Sequence, residues 1–558
     1  MANAYWILTQ RQRCDLELLV TGGFSPLAGF LSEDEYQSVL HNMTLRSGAL
    51  WPIPVTLDIP AELAQSLEPG QPLVLCRADG TPLATMDVTD IYSPDFVYEA
   101  LQIYGTQSLA HAGVRLLYER HPFYVGGPVV DIDPERSEVA RHVDFLPPYY
   151  TPWELRSRWK EVAKPIVAFH TRNAMHGAHF ALTRSAIEQT QGHLLLHPTT
   201  GPTNPGDMSA ALRIRSIAAL TASYPKQAVT LSTLPLAMRM AGPRETLWQA
   251  LIRQNFGADY FIVGRAPADP GQNPDRSDGY WWPPYKAHEL FQSAASQLRI
   301  KPLIFPEYAW NKRQQAYMPK PLKDPANDYA TLSGSWARRR LSKKENLPQW
   351  FAPKAVREVM ESAYCQQDHG LVILFTGLPA SGKSTLATAL RNVLLVNDNR
   401  QVSLLDGDMI RRQLSKGLGF SPEDRREHLK RVGFVSQIIA QHGGIALVSM
   451  IAPYEEGRLA LRHMIEEWGQ FFEIYLSTSL KECQRRDPKG LYAQARSGRL
   501  KHMTGIDEPY EVPSTADLIL DTAQHSVPAL VDAIWNHLQE RGAVRGLPVI
   551  QDLLSIER

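Results

Sequence analysis

Short apolar runs separated by turn residues dominate residues 1–150 of the chain. The segments 52–59 and 72–76 are two such runs, and the second is followed by a turn-forming stretch at 78–81. Short runs bounded by glycine and proline are typical of strands in β-rich domains. The pattern therefore predicts a mostly β domain over 1–150, and this region shows no clear catalytic constellation.

The pattern changes over residues 151–330, where buried-strand runs alternate with polar loops and helical stretches. The run at 165–169 leads into a polar loop and a helix, and the run at 260–263 ends at Gly264 and Arg265. This order predicts an α/β domain whose ligands bind at the carboxyl ends of its strands. Residues 331–365 are charged and helical, which predicts a small connecting domain or linker.

A new α/β unit is predicted over residues 366–558, and it carries the strongest motif of the chain. Residues 377–384 read GLPASGKS, after an apolar strand and before a helical stretch. Glycines let such a loop curl so that backbone N–H groups and a helix N-terminus face phosphate oxygens. Lys383 adds a point charge, and the Ser384 hydroxyl is a ligand for nucleotide-bound Mg²⁺. The predicted ATP-binding residues of this loop are Gly377, Leu378, Pro379, Ala380, Ser381, Gly382, Lys383, Ser384 and Thr385.

Two further features of this unit suggest how the acceptor of the phosphoryl group is held. The run at 402–405 ends at Asp406 and Asp408, with Arg411 close behind. Carboxylates at the end of a strand hold Mg²⁺ through water or accept a hydroxyl proton, and an arginine binds an anion. The basic stretch at 485–492 has the character of a lid over phosphates.

Together, the segments GLPASGKST, LDGDMIR, LGFSPEDR, RDPKGLY and TGIDEPYE resemble the adenylylsulfate (APS) kinase family over residues 369–525. The resemblance implies phosphorylation of the 3′-hydroxyl of APS by ATP, giving 3′-phospho-APS (PAPS), with Mg²⁺ as cofactor. It makes Asp408 the base or orienting group. The other implied APS-binding residues are Arg411, Phe420, Arg425 and Lys489. His428 and Met503 stand where the family has an asparagine and a stacking aromatic residue.

A second candidate site lies at His176 and His179, an HxxH pair at the start of a predicted helix. Such a pair serves as metal ligands, as phosphate contacts or as buried core histidines. Gly177 and Ala178 exclude the HExxH zinc motif, and the segment shows no third ligand. The position after a strand and a Thr-Arg-Asn loop favours phosphates, where both imidazoles donate to a leaving pyrophosphate.

The segments 23–30, 170–179, 197–207, 234–245 and 261–265 together resemble the ATP sulfurylase (sulfate adenylyltransferase) family over about residues 1–350. The resemblance implies a PUA-like β-rich domain, a Rossmann-like nucleotidyltransferase domain and a small third domain. It also implies the reaction of ATP with sulfate to give APS and pyrophosphate. The implied sulfate- and ATP-binding residues are Thr171, Arg172, Asn173, His176, His179, Gly264 and Arg265, with Arg172 as the sulfate partner.

Three positions depart from this second family's pattern. His170 replaces a glutamine, and Ala266 and Pro267 replace an Asp-His pair. Adenylyl transfer depends on closely placed donors, so such changes can weaken a site. Three interpretations stay open at this point: an active sulfurylase, a weak or silent scaffold beside a working kinase, and a sulfurylase running in the ATP-forming direction.

Composition argues against two further classes of function, nucleic-acid binding and membrane-surface binding. The chain has 558 residues, with 58 Lys+Arg against 58 Asp+Glu, so it has no net charge to attract nucleic acid or a membrane surface. That balance argues against RNA binding by the PUA-like domain. Four scattered cysteines, the absence of an apolar signal segment near residue 1 and the lack of a long apolar run predict a cytoplasmic protein.

The sequence thus predicts a bifunctional enzyme that resembles PAPS synthetases and uses ATP, sulfate and APS. The predicted domains are 1–150 (PUA-like), 151–330 (sulfurylase catalytic domain), 331–365 (small helical domain or linker) and 366–558 (P-loop APS kinase with a parallel sheet). The resemblance also implies a homo-oligomer.

Overall fold

The computed structural model describes residues 4–78, 80–131, 145–204, 207–271, 273–321, 328–330, 334–342, 345–362, 370–500 and 502–544. The chain divides into two compact units. Unit 1 comprises Met1–Ser137 and Pro148–Glu361, and unit 2 comprises Glu138–Pro147 and Ser362–Arg558. Within the described ranges, we find no helix with the length and apolar character needed to cross a bilayer.

Unit 1 begins with a seven-stranded sheet in which β1, β4, β5, β7 and β2 are neighbours and β3 and β6 pair with β7. Phe24, Trp51 and Trp248 are fully buried in its core. The strands are β1 (Ala4–Ile7), β2 (Gly29–Phe30), β3 (Leu57–Ile59), β4 (Pro72–Cys76), β5 (Pro82–Asp87), β6 (Asp90–Tyr92) and β7 (Phe123–Asp131). The helices are α1 (Gln10–Val20), α2 (Glu33–Asn42), α3 (Ala61–Ser66), α4 (Phe96–Tyr104) and α5 (Ala112–Tyr118).

The second sheet of unit 1 is parallel throughout and has the order β10-β9-β8-β11-β12. Since all five strands run the same way, the loops after β8, β9 and β11 leave one edge of the sheet. The strands are β8 (Ile166–Phe169), β9 (His193–Leu196), β10 (Val229–Leu231), β11 (Tyr260–Val263) and β12 (Lys301–Ile304). The helices are α6 (Pro152–Val162), α7 (Gly177–Thr190), α8 (Ala210–Thr221), α9 (Gly242–Asn255) and α10 (Lys286–Ala294).

The last part of unit 1 is a small antiparallel sheet with two helices. Its strand order is β14-β13-β15, and the backbone N–H of Gly177 donates to the Phe351 carbonyl at 2.8 Å, which attaches this part to α7. The elements are β13 (Tyr308–Asn311), β14 (Ala316–Pro319), β15 (Tyr329–Ala330), α11 (Gly334–Ser342) and α12 (Lys354–Ser362).

Unit 2 is built on a parallel sheet of order β17-β18-β16-β19-β20. Alternate residues of β16 enter different cores, because successive side chains of a strand point to opposite faces. Leu371 and Ile373 pack with α13 and α19 on one face, and Val372 and Leu374 pack with α15 and α16 on the other. The strands are β16 (Gly370–Gly377), β17 (Val402–Asp406), β18 (Ile445–Ser449), β19 (Gly469–Leu476) and β20 (Leu518–Leu520). The helices are α13 (Lys383–Asn397), α14 (Gly407–Gln413), α15 (Pro422–Gln441), α16 (Glu455–Glu466), α17 (Leu480–Arg486), α18 (Leu491–Arg496) and α19 (Val527–Glu540).

The predicted fold class is confirmed, with local differences. In the apolar run 52–59 only Leu57–Ile59 is a strand. Pro52 and Pro54 lack the N–H that a sheet ladder requires, so this buried segment remains irregular. The predicted turn after β4 is closed by a hydrogen bond from Arg77 N–H to the Thr81 carbonyl at 2.8 Å. The start of the charged helical segment at residues 331–333 lies outside the described residues.

Candidate active sites

The phosphate loop of unit 2 joins β16 to α13. Gly377, Ala380 and Gly382 have φ angles of 146°, 61° and 95°, which are left-handed conformations that favour glycine. A Cβ atom added at Gly382 would also lie 3.3 Å from the Thr522 side chain. The sequence positions of both glycines therefore follow from backbone shape, and the loop has the tight curl that its motif predicted.

Lys383 is the first residue of α13, and its ammonium group lies inside the loop. Its Nζ atom donates to the carbonyl oxygens of Gly377 at 3.0 Å and Leu378 at 2.6 Å. The residue is 9% exposed. Burial lowers the pKa of Lys383 to about 8, against the weaker opposing effects of Cys483 and of two nearby carboxylates. This ammonium is thus held by neutral carbonyls in the centre of the loop.

Oxygen donors suited to Mg²⁺ lie beside the loop. The Ser384 hydroxyl donates to Asp406 at 2.6 Å and lies 3.1 Å from the Ser449 hydroxyl. Hydroxyl and carboxylate oxygens are the ligands that Mg²⁺ prefers, so Ser384 and Asp406 fit the ion that accompanies ATP. The described residues contain no cluster of three or more His, Cys, Asp or Glu side chains able to hold a metal by themselves.

Asp408 and Lys489, predicted to bind the acceptor, contact each other. The Lys489 ammonium donates to the Asp408 carboxylate at 2.8 Å, and both side chains are more than one third exposed. Partial burial raises the pKa of Asp408, but the hydrogen bond and charge of Lys489 outweigh it and leave this pKa below its ordinary value. Asp408 is therefore ionised at neutral pH and can accept a hydroxyl proton or orient the hydroxyl.

Phe420 lies between the two arginines predicted to hold APS. The guanidinium carbon of Arg411 is 4.7 Å from the ring centroid, and that of Arg425 is 5.6 Å away. The ring is 46% exposed, and Arg425 also donates to the Phe420 carbonyl at 2.9 Å. The structure thus brings Arg411, Phe420 and Arg425 together as an aromatic and cationic surface beside Asp408.

His428 and Met503, which depart from the kinase pattern, are both buried. His428 is 2% exposed and its Nδ1 atom lies 2.8 Å from the Ser415 hydroxyl, while burial lowers its pKa to about 4. Met503 is 5% exposed and packs with Cys483 and Tyr492. Met503 is therefore a core residue under the loop here, and it does not present an open platform for a base.

The phosphate loop is braced by Thr522, which sequence reasoning missed, and by Arg486, which it placed in a lid. The Thr522 hydroxyl donates to the Ser381 carbonyl at 2.9 Å. Arg486 donates to the Thr522 hydroxyl at 2.7 Å and to its carbonyl at 3.0 Å. The available signal was that Thr522 follows β20, so it emerges at the same sheet edge as the loop.

In unit 1, the His176 and His179 rings contact each other at the start of α7, with their planes tilted by 34°. Their ring centroids are 4.1 Å apart. The Nδ1 atoms accept backbone N–H groups, from Ala178 at 3.3 Å to His176 and from His176 at 3.4 Å to His179. Burial lowers the pKa of His179 to about 4 and that of His176 well below its ordinary value. Both rings are therefore neutral, and each carries its proton on Nε2, as a donor.

The loop after β8 positions Thr171, Arg172 and Asn173. The Thr171 hydroxyl donates to the Asn173 carbonyl at 2.9 Å and accepts its N–H at 3.0 Å, which closes the loop. Arg172 donates to the Asp269 carbonyl at 2.9 Å and to Asp207 at 3.4 Å. Arg172 has planar N–H donors of the kind that bind a tetrahedral oxyanion.

Arg265 follows β11, and its side chain contacts residues of two later loops. It donates to Glu307 at 2.9 Å and lies 5.1 Å from the Tyr280 ring centroid. The carbonyl of Gly264 lies 3.2 Å from His288 Nε2. Sequence reasoning did not identify Glu307, Tyr280 or His288, because they lie on later elements that only the fold brings to this edge.

The substituted segment at Ala266 and Pro267 has an unusual backbone. Ala266 and Ala268 have φ angles of 45° and 55°, which alanine rarely adopts. Asp269 then accepts backbone N–H groups from Gly271, Trp281 and Trp282 at 2.7, 2.9 and 3.2 Å. Burial raises the pKa of Asp269 despite these bonds. The Asp269 side chain therefore holds neighbouring backbone segments together through hydrogen bonds.

Unit 2 has the fold of a P-loop kinase and unit 1 that of a nucleotidyltransferase with a β-rich N-terminal domain. Comparison with known proteins agrees. Family models described as PUA-like domain, ATP-sulfurylase and adenylylsulphate kinase match residues 3–134, 148–363 and 369–521.

Curated relatives extend over the whole chain. A "Sulfate adenylyltransferase" of Phaeosphaeria nodorum is 40% identical over 549 residues, covering 97% of this chain and 94% of the relative. A second, of Mycosarcoma maydis, is 38% identical over 537 residues, covering 95% of this chain and 92% of the relative. The solved structure of a hexameric APS kinase from Thiobacillus denitrificans covers 98% of this chain and 94% of its own, with 27% identity and a TM-score of 0.51. The chain therefore belongs to the sulfate adenylyltransferase family, as a member with a C-terminal adenylylsulfate kinase domain, and its domains are those of two-step sulfate activation to PAPS.

Proposed function

We propose that unit 1 forms APS and pyrophosphate from ATP and sulfate, and that unit 2 then phosphorylates the 3′-hydroxyl of APS. The observation that carries the proposal is a set of oriented donor groups in each unit, at the carboxyl ends of a parallel sheet.

In the first step, a sulfate oxygen attacks the α-phosphorus of ATP in line. A P–O bond to sulfate forms, the P–O bond to the β-phosphate breaks, and pyrophosphate leaves with the electron pair. Arg172 and Asn173 hold sulfate, and the Nε2–H groups of His176 and His179 donate to the leaving phosphates as charge develops. Arg265 stabilises the nucleotide side of the site, once its contact with Glu307 is shared with the ligand.

In the second step, Asp408 orients the 3′-hydroxyl of APS and accepts its proton as the γ-phosphoryl group is transferred. Lys383 stabilises the outer phosphates, and Lys489 moves from Asp408 towards the substrate charge. Arg411, Phe420 and Arg425 bind the acceptor. When Mg²⁺ is bound with ATP, Ser384 and Asp406 hold it directly or through water, and it neutralises phosphate charge.

The fusion has a thermodynamic reason. The phosphosulfate anhydride is high in energy, so adenylation of sulfate is unfavourable by itself. A kinase that consumes APS keeps its concentration low and draws the first step forward. The forward direction is therefore the one we propose, in a cytoplasmic homo-oligomer; the hexameric state of the similar APS kinase structure supports the oligomer.

Two single variants separate the steps. Arg172→Lys should lower pyrophosphate release by at least about 100-fold, because a lysine loses the planar donor pair, and should leave APS-dependent ADP formation unchanged. Asp408→Asn should do the reverse. Arg184→Lys, an exposed arginine on α7, is the control for the first variant. Loss of both activities in either variant would contradict two separate sites.

A further inference from the structure

Cationic side chains surround His170, the residue that replaces the family's glutamine before the Thr-Arg-Asn loop. Arg253 of α9 is completely buried, and its Nη2 atom lies 2.8 Å from His170 Nδ1. The same guanidinium donates to the His197 carbonyl at 3.2 Å and to the Gln249 carbonyl at 3.3 Å. Arg213 is also buried, where it donates to the Met208 carbonyl at 2.9 Å.

The contact with Arg253 determines which nitrogen of His170 carries the proton. A guanidinium has only donors, so His170 Nδ1 accepts the hydrogen bond and the neutral ring carries its proton on Nε2. Burial, followed by the charges of Arg253 and Arg213, lowers the pKa of His170 well below its ordinary value, so the ring is neutral.

The donor so created has no partner in the described part of the chain. His170 Nε2 is buried and makes no hydrogen bond with the described residues. The Nε atoms of Arg213 and Arg253 are also buried and make no hydrogen bond with them. Buried donors are normally paired, so unpaired ones in a cationic group indicate a site for an anion. Arg172, two residues along the loop, contributes its charge to the surroundings of His170.

We propose that Arg253 is a positioning residue that holds His170 as a donor-only contact for a sulfate oxygen, and that this pair favours oxyanions without protons over hydrogenphosphate. This inference rests on the proposed sulfurylase function of unit 1. Sulfate carries no proton at neutral pH and needs only donors. Hydrogenphosphate carries one O–H group that requires an acceptor, and His170 Nδ1 is already committed to Arg253. A glutamine at this position would offer a donor and an acceptor together.

Two variants of His170 test the contact. His170→Gln keeps a donor towards sulfate and adds an acceptor. It should lower the ratio of the inhibition constant of inorganic phosphate to the KM for sulfate by about fivefold or more, since the amide also accepts. His170→Phe, which keeps a planar ring without the donor, should lower kcat/KM for sulfate by about tenfold or more. An unchanged phosphate-to-sulfate ratio in His170→Gln, or full activity of His170→Phe, would overturn the proposal.

The role of Arg253 is tested by a double-mutant cycle on the full chain. Arg253→Gln should lower kcat/KM for sulfate by about tenfold in the native background and by less than about twofold in the His170→Gln background. Equal losses in the two backgrounds would mean that Arg253 only supports the fold and would overturn its positioning role. If Arg253→Gln does not fold, as judged by its melting temperature, the phosphate-to-sulfate ratio of His170→Gln decides the question. Failure of the native chain to release pyrophosphate would instead refute the sulfurylase function itself.

Discussion

Replacing Lys383 with methionine separates the catalytic value of this residue from its cost to the fold. Lys383→Met keeps an unbranched chain as far as the Cε position and removes the charged amino group. Because the pKa of the buried ammonium falls from an ordinary value of 10.5 to about 8, the charged form destabilises the folded state at pH 7. The difference corresponds to about 3 kcal/mol, since one pKa unit is about 1.4 kcal/mol.

The net increase in the free energy of unfolding should be smaller than this value, because two loop carbonyls lose their hydrogen-bond donor. The carbonyls of Gly377 and Leu378 each lose about 1 kcal/mol of hydrogen bonding. We therefore expect Lys383→Met to stabilise unit 2 by about 1–2 kcal/mol at pH 7. The folded pKa is the lower one, so the unfolded state binds more protons between pH 8 and 10.5. The native chain gains stability as pH rises through that window, and the advantage of the variant should disappear there.

Calorimetry of the full chain at pH 7 and pH 10 measures this difference in stability. The unfolding transition of unit 2 is the one whose midpoint Lys383→Met should shift. Kinase activity should fall by at least about 100-fold, while pyrophosphate release by unit 1 stays unchanged. Lys430→Met is the matched control, since Lys430 is an exposed lysine of unit 2 on α15, and it should alter neither quantity. A variant that is less stable than the native chain at pH 7, or a stability difference that does not depend on pH, would refute the reasoning.

Three further predictions follow from the pKa values and the departures. Ala266→Asp combined with Pro267→His should raise pyrophosphate release severalfold, because aspartate tolerates the φ of 45° at position 266 better than alanine; an unchanged rate would show that the existing residues suffice. Unit 1 should lose stability as pH falls from about 6.5 to 4, because unfolded histidine protonates before buried His179 does; urea unfolding of the native chain and His179→Asn should show a smaller loss in the variant. Lys489→Met should raise the pKa of Asp408 and move the acid limb of the kinase pH profile upwards; an unmoved limb would exclude Asp408 as its source.

Much of the kinase site was predictable because its parts are close together in sequence. The loop 377–384 combines strand, glycines, lysine and helix in one segment, so its local conformation follows from local residues. The carboxyl ends of β17 and β16 lie at the same edge of the parallel sheet, with β18 between them, which allows Asp406 to contact Ser384. The contact of Lys489 with Asp408 was not predictable, because it joins positions 81 residues apart that only the tertiary fold brings together.

In unit 1 the sequence indicated the loop after β8 and the histidine pair, but not the residues that contact His170 and Arg265. Arg253 is 83 residues from His170 and lies on an unremarkable helical stretch. The partners of Arg265 likewise come from separate elements after β11. No local sequence pattern predicts such contacts, because they join residues that are distant in sequence and are brought together only by the tertiary fold. The inward burial of Met503 was missed for the same reason.

The most direct test of the account measures both half-reactions with one preparation of the full chain. The first assay follows pyrophosphate release from ATP and sulfate, with pyrophosphatase present because removal of pyrophosphate draws this unfavourable reaction forward. The second assay follows ADP formation from ATP and APS. The account predicts both activities, each dependent on its own acceptor. Pyrophosphate release at the rate of the enzyme-free background, with ADP formation intact, would contradict it and leave unit 1 as a scaffold for the kinase.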